Sequence, residues 1–348
     1  MEEGDTSGER ASRPQMAEEI HVLPSCVDTS SPDGMARKVG VSTGFWSSDL
    51  SYAHAAIAVF GAILAGWALQ FARGGGALVP PEWPVNAIFL GLFLGWLLLL
   101  SQSNGRVVAW LGGVPFGLFS MLGVGCLSAA GGIIPQTAEQ AAGWVRFCGL
   151  DHIFNGAPFA VAMLLLLTNL ALATFRRVRQ HGAQEWFFSL NHAGLWITLA
   201  AAMFGSGDMI RARMILVEGQ AEAMVVDAAG RHGYLPFGLF LQRFYVEAYP
   251  EEGGRPGAPK RFAAEVTVLR PDQRFDDVRI EVNHPLRRDG WTLYLTNYDL
   301  SPNGQTDQCM IEAVRDPWLP AVYAGIFLML GGAVAMLFRY PLDSRLSP

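Results

Sequence analysis

Glu281-Val-Asn-His-Pro-Leu-Arg-Arg-Asp-Gly-Trp-Thr-Leu-Tyr-Leu-Thr-Asn-Tyr-Asp299 is followed shortly by Arg315-Asp-Pro-Trp-Leu-Pro-Ala-Val-Tyr-Ala-Gly325. The first stretch is rich in β-branched and aromatic residues and alternates in the manner of strands. Its Asp289-Gly290 pair predicts a tight turn. The second stretch leaves polar sequence at Asp316-Pro317 and meets no further charge until Arg339. The first expectation is therefore an extracytoplasmic β domain that passes directly into a membrane helix.

The rest of the chain supports the membrane half of that expectation. Of 348 residues, 51% are hydrophobic and only 16% charged, against about 25% charged in ordinary soluble domains. The charges vanish in blocks. None lies between Asp49 and Arg73, Glu82 and Arg106, Arg106 and Glu139, Asp151 and Arg176, Glu185 and Asp208, or Asp316 and Arg339. A helix needs about 20 apolar residues to cross the hydrocarbon core. The blocks predict six spans, near 51–72, 86–104, 107–129, 154–175, 188–206 and 317–338. Ser189, Asn191 and His192 dilute the start of the fifth. Six such blocks are too many for the buried helices of a soluble protein.

Basic residues near span ends set orientation. With both termini in the cytoplasm, the inner side collects Arg37, Lys38, Arg106, Arg176, Arg177, Arg179, Arg339 and Arg345, while the short outer loops hold Arg73 and Arg146. Residues 207–316 then lie outside. That segment carries 13 basic and 17 acidic residues, so no basic field points to nucleic acid. The chain opens on a polar stretch with no cleavable signal pattern, expected to be a disordered cytoplasmic tail. Met16 and Met35 are alternative starts within it.

Between the fifth and sixth spans, Met214–Val217, Ala223–Asp227, Pro236–Glu247, Phe262–Leu269, Val278–Val282 and Trp291–Tyr298 carry strand signals. They predict one antiparallel domain of about 100 residues, within the usual domain range. The expected division is a tail at 1–45, an N-terminal transmembrane hairpin at 46–106, core helices at 107–206, the β-rich domain at 207–316, and a last helix with a cytoplasmic end at 317–348. The fold class is a membrane α-helical bundle of six transmembrane helices with an extracytoplasmic antiparallel β domain inserted between helices five and six.

Few residues carry obvious chemistry. His192, in Ser189-Leu-Asn-His-Ala-Gly-Leu-Trp196, sits at the cytoplasmic start of the fifth span. Ionisable residues in membrane helices usually face a bundle interior, and a helix N-terminus disfavours imidazolium. Neutral imidazole is the form that ligates iron. The alternative is an interfacial histidine that hydrogen-bonds a neighbouring helix. His54, near the start of the first span, repeats the pattern with less force. His152 and His284, on the outer side, are candidates for meeting a ligand or partner, or are turn residues. Arg176, Arg177 and Arg179 are suited to bind carboxylates bidentately, or are topology anchors. The four cysteines, Cys26, Cys126, Cys148 and Cys309, form no Cys-x-x-Cys pair. The sequence therefore offers neither a thioredoxin-like redox motif nor a covalent haem-attachment motif of its own. Cys126 and Cys148 are both expected near the outer face, as a bridge or as two separate thiols. There is no phosphate-cradling loop and no carboxylate pair within a span.

Several segments together resemble the ResB-like (CcsB) family. Gly132-Ile-Ile-Pro-Gln136 is similar to the motif closing that family's first core span. Phe159 to Arg177, ending in a double arginine, resembles its second, and Asn191-His-Ala-Gly-Leu-Trp196 the start of its third. Glu218-Gly219, Val282-Asn-His-Pro-Leu286, Gly290-Trp-Thr-Leu-Tyr294 and Tyr298-Asp299 resemble its outer domain. Asp316-Pro317, with Tyr323 and Gly325, resembles the opening of the last span. Trp83-Pro-Val-Asn86 is similar to the branch with an added N-terminal hairpin. Gly131-Gly132 departs from the family's small-residue-plus-Thr pattern, and the N-terminal tail is extra.

The resemblance implies a subunit of the System II cytochrome c synthetase, which moves haem across the cytoplasmic membrane and joins it to the thiols of an apocytochrome c. It implies a CcsA/ResC-like membrane partner in a separate chain, and a transient, non-covalent haem b. His192 would be an axial ligand to its iron, with Arg176, Arg177, His54 and His284 as candidate haem or propionate contacts. The subunit would be non-catalytic or co-catalytic by itself. Two rivals stand beside this: a haem-binding subunit of a quinone-linked electron-transfer complex, and a membrane scaffold that binds no haem.

Overall fold

The computed structural model describes residues 48–136, 141–181, 186–248, 259–272, 275–298 and 307–339. Expectations resting on the tail, Arg37, Lys38, Cys26, Asp299 and Arg345 lie outside the described residues.

Eight helices are formed among these residues: α1 Ser48–Ala72, α2 Val85–Gln102, α3 Arg106–Leu111, α4 Val114–Ile133, α5 Gly143–Phe147, α6 Ala157–His181, α7 Trp186–Phe204 and α8 Leu319–Arg339. Six of them, α1, α2, α4, α6, α7 and α8, are long and apolar enough to cross a membrane. The predicted third span is corrected by the structure. It does not run unbroken from 107 but splits at Gly112-Gly113 into α3 and α4. Gly113 is extended, and Pro115 in the first turn of α4 has no N–H to continue a preceding helix. The freed carbonyls are not orphaned. Asn169 of α6 donates its side-chain amide to Leu111 O at 2.6 Å and to Gly113 O at 3.0 Å. Gly112 lies so close to α6 that an added Cβ would meet the Leu172 Cβ at 3.0 Å.

α1 packs on α4 and α6, whereas α7 packs most extensively on α8 and then on α6. Glycines let α7 and α8 approach closely. A Cβ on Gly194 would lie 2.4 Å from Met329 N, and one on Gly332 would lie 2.5 Å from Asn191 N. Small residues at such a crossing are how helices associate where lipid removes the hydrophobic drive. Asn191 adds a hydrogen bond to Met329 O at 2.9 Å.

Among the described residues, eight strands follow α7: β1 Ile210–Val217, β2 Ala221–Asp227, β3 His232–Ala248, β4 Pro259–Leu269, β5 Phe275–Glu281, β6 Leu286–Arg288, β7 Trp291–Tyr298 and β8 Gln308–Arg315. They form one antiparallel sheet in the order β5-β4-β3-β2-β1-β8-β7-β6. Edge strand β5 also approaches β6 and β7, so the sheet curls. Asp276 of β5 accepts from Arg270 at 2.8 Å and from Arg288 of β6 across that seam. Leu216, Leu239, Leu241, Val266, Ile280, Leu293 and Ile311 fill the interior. The Asp289-Gly290 turn forms as expected, with positive φ at both residues (49° and 79°) between β6 and β7.

Strand β8 was not among the predicted strands. Cys309, Ile311 and Ala313 alternate inward along it, and it pairs with β1 over their full lengths, from Ile210–Arg315 to Val217–Gln308. The two strands that leave and re-enter the bundle are thus hydrogen-bonded neighbours, continuing the α7–α8 pair into the sheet.

Candidate functional site

His192 lies in the second turn of α7, half-buried. Its Nδ1 is 3.0 Å from the Phe188 carbonyl, one turn earlier. A carbonyl can only accept, so Nδ1 carries the proton and Nε2 keeps its lone pair. The imidazole stacks on the Phe188 ring, with centroids 3.8 Å apart and an interplanar angle of 27°. Arg177, near the end of α6, places its guanidinium carbon 5.3 Å from the centre of that same ring, within cation–π range. Arg177 and His192 are therefore gathered around Phe188.

Two neighbours fix the rotation of α7. Trp196 donates its indole N–H to Leu167 O of α6 at 3.1 Å. On the other side, Asn191, Gly194 and Thr198 face α8. This leaves His192 with Leu199 and Met203 along one stripe of the helix, at i+7 and i+11. Leu199 and Met203 belong to the wall of an apolar cavity of about 820 Å³, which Phe93 of α2, Val124 of α4 and Phe159 and Met163 of α6 complete.

The other sequence candidates are not gathered there. His54 is on α1, whose main partners are α4 and α6. Arg176 faces α3, where its Nη1 is 3.5 Å from Ala109 O. His284 is exposed in the turn after β5, bridged to Glu281. His152 sits in a 3₁₀ turn, Leu150–Asn155, with Nδ1 2.8 Å from Asp151 Oδ1 and Nε2 3.2 Å from Gln70 Nε2. Gln70 is buried, and its Oε1 accepts from Ala157 N at 2.9 Å. His152 is thus held within a tether between α1 and α6. Cys126 and Cys148 are separate free thiols. Among the described residues no three His, Cys, Asp or Glu side chains come together as a metal centre.

A second constellation escaped sequence reasoning. Asp208, beyond the end of α7, accepts from Trp83 N at 2.6 Å, from the Asn86 amide at 2.7 Å and from the Trp318 indole at 2.6 Å. It joins the start of α2, the end of α7 and the approach to α8. Its partners are 110 to 125 residues away in sequence. The available signals were the motif fragments Trp83–Asn86 and Asp316–Pro317.

Six apolar helices with a curled antiparallel sheet define a multi-pass membrane protein bearing a β domain. Residues 180–313 match the ResB-like family, a segment that runs from the end of α6 through His192 into β8. That match covers 134 of the 348 residues, and over them the chain is similar to the ResB-like family. Among curated proteins it is similar to the cytochrome c biogenesis protein CcsB of Synechococcus sp. (strain JA-3-3Ab), 29% identical over 113 residues. It is likewise similar to CcsB of Prochlorococcus marinus (strain MIT 9313), 30% identical over 113 residues. The match covers 32% of this chain and 23% and 24% of those relatives, so it spans about a quarter of their length. Among solved structures, the cytochrome c haem lyase CcmF aligns over 86% of this chain and 46% of its own, with 16% identity and a TM-score of 0.34. At that score the likeness carries no weight.

Proposed function

We propose that this protein is a subunit of a cytochrome c biogenesis complex, and that His192 is one axial ligand to haem in transit through it. The observation that carries the reading is the Nδ1–Phe188 hydrogen bond, within the segment 180–313 that matches the ResB-like family. An imidazole whose Nδ1–H is held by a carbonyl presents Nε2 in a fixed direction, the arrangement that metal-bound histidines use. Arg177, held over Phe188 beside it, is set to pair with a propionate. Phe188 holds the imidazole plane in place by stacking on it. In this reading haem b is cargo, held without covalent attachment, and its iron and side groups supply the chemistry completed on the client's thiols.

The remaining elements follow from the same reading. The chain lies in the cytoplasmic membrane with both termini inside, because Arg106, Arg176, Arg177, Arg179 and Arg339 then share the cytoplasmic side. The β domain, inserted between α7 and α8, is then extracytoplasmic, where it would brace a CcsA/ResC-like partner or position apocytochrome c. The division into tail, hairpin, core helices, β domain and last helix belongs to this proposal, as does a co-catalytic rather than independently catalytic role.

The test is a spectrum. The chain is purified alone and with its membrane partner, and haem is quantified and its absorption recorded in the reduced state. His192→Ala should abolish the low-spin, bis-ligated signal while the complex stays monodisperse, and added imidazole should restore it. Unchanged haem content and an unchanged spectrum in His192→Ala would remove the ligand role. Arg177→Gln should weaken haem retention while leaving the ligation state intact.

A further inference from the structure

We infer that the cleft between the end of α2 and the end of α6 is a phosphate-group site, filled in the membrane by the headgroup of an anionic lipid. The cleft has a volume of about 240 Å³ and is lined by Ser101, Ser103, Asn104, Arg176, Arg179 and Gln180, with Val108, Ala109 and Leu172 as its apolar part. It is separate from the His192 stack and from the large apolar cavity.

Charge decides what this cleft can hold. No Asp or Glu occurs in α2, α3 or α6. The countercharge available from the fold is the dipole of two helix C-termini, about −0.5 each, against two full guanidinium charges. Arg179 spends its donors on α2, reaching the Ser101 carbonyl and the Gln102 side chain, so it acts as a C-terminal cap. Arg176 is different. It is exposed, and among the described residues its one hydrogen bond is the long contact to Ala109 O at 3.5 Å. The Ser101 hydroxyl is spent on Leu98 O at 2.7 Å, but a planar guanidinium with several donors to spare, beside the Ser103 hydroxyl and two side-chain amides, matches the acceptor-rich surface of a phosphate.

Depth decides the source. The 18 residues of α2 rise about 27 Å, close to the thickness of the hydrocarbon core. Its last residues therefore lie at headgroup level, whichever side of the membrane that is. Basic pockets between membrane helices at that level bind anionic headgroups. A soluble phosphate compound offers the same chemistry from the aqueous side.

The full chain is extracted from vesicles of equal phosphatidylglycerol and phosphatidylcholine, and the retained lipid is measured by native mass spectrometry. Phosphatidylglycerol should be retained in preference, and Arg176→Gln should lower its retention about fivefold. Arg146→Gln, away from the cleft, should leave it unchanged. Asn104→Asp changes an exposed loop residue and keeps both arginines; it should reduce retention by repulsion even if Arg176→Gln fails to fold. Inorganic phosphate at constant ionic strength provides the second arm. Displacement of the lipid by phosphate, lost in Arg176→Gln, supports the phosphate site. Thermal stabilisation by phosphate without lipid preference supports the site with a soluble source. Equal retention of both lipids together with no response to phosphate overturns it, as does unchanged retention in both cleft variants.

Discussion

The Asp208 carboxylate and the Trp318 indole nitrogen are 2.6 Å apart, and that contact ties the two legs on which the β domain stands. Asp208 follows α7 and precedes β1. Trp318 follows β8 and precedes α8. The same carboxylate also holds Trp83 N and the buried Asn86 amide. One side chain therefore sets the base of the sheet against both the α7–α8 pair and the start of α2.

Asp208→Ala should destabilise the protein by about 1–3 kcal/mol, because it leaves the Asn86 amide and the Trp318 N–H without their anionic acceptor. Trp318→Phe removes one of these bonds and should cost less. Thermal unfolding in detergent, followed by circular dichroism, measures both. A wild-type midpoint in Asp208→Ala would show that the carboxylate is not the tie.

Gly194→Val should be among the most damaging single changes in the bundle. Even a Cβ at that position would sit 2.4 Å from Met329 N, so α8 must move away. Overpacking of this kind costs about 1–3 kcal/mol or more, and the shift would drag β1 and β8 with it. The expected readout is a lower midpoint, together with broadened exchange protection in β1 and β8. Gly125→Val, where nothing lies within 4 Å, is the matched control and should be tolerated.

Cys309 should resist alkylation in the folded protein. Burial in the sheet, helped by nearby Glu218, pushes its thiol up from 9.0 to about 12. Only about one thiol in 10⁴ is then ionised at pH 8, and the thiolate is the nucleophile. The half-exposed Cys148 should react with iodoacetamide well before the buried Cys309, with each site read by mass spectrometry. The same shift sets a pH dependence. Below 9.0 both folded and unfolded chains keep the proton. Above it the unfolded chain releases the proton first, so the sheet loses stability between about pH 9 and 12. Cys309→Ala should flatten that alkaline slope. Rapid native labelling of Cys309 at pH 8 would contradict its burial.

Much of the architecture could be read directly from residue order. Charge-free blocks located all six candidate spans, because a charge at the bilayer centre is expensive wherever its helix happens to pack. Asp289-Gly290 announced its hairpin because positive φ is a local demand. His192 could be singled out for a similar reason, as an ionisable residue near the start of an apolar run. The break at Gly112-Gly113 was harder, although Pro115 marked it, since the neighbouring apolar residues suit one long span as well as two helices. Strand β8 was overlooked because eight residues before a membrane helix read as its approach. The alternation of Cys309, Ile311 and Ala313 was the signal available.

The linear chain alone determined which segments prefer lipid, which prefer a sheet, and where tight turns fall, since each depends on side chains within a few residues of one another. Only the tertiary structure decided that Arg177 and His192 share the Phe188 ring, that Asp208 joins Trp83, Asn86 and Trp318, and that Arg176 is left with donors facing a cleft. Those outcomes depend on the rotation and depth of whole helices against their neighbours. Rotation and depth are set by contacts such as Gly194 on Met329 and Trp196 on Leu167, between residues that composition and periodicity do not connect.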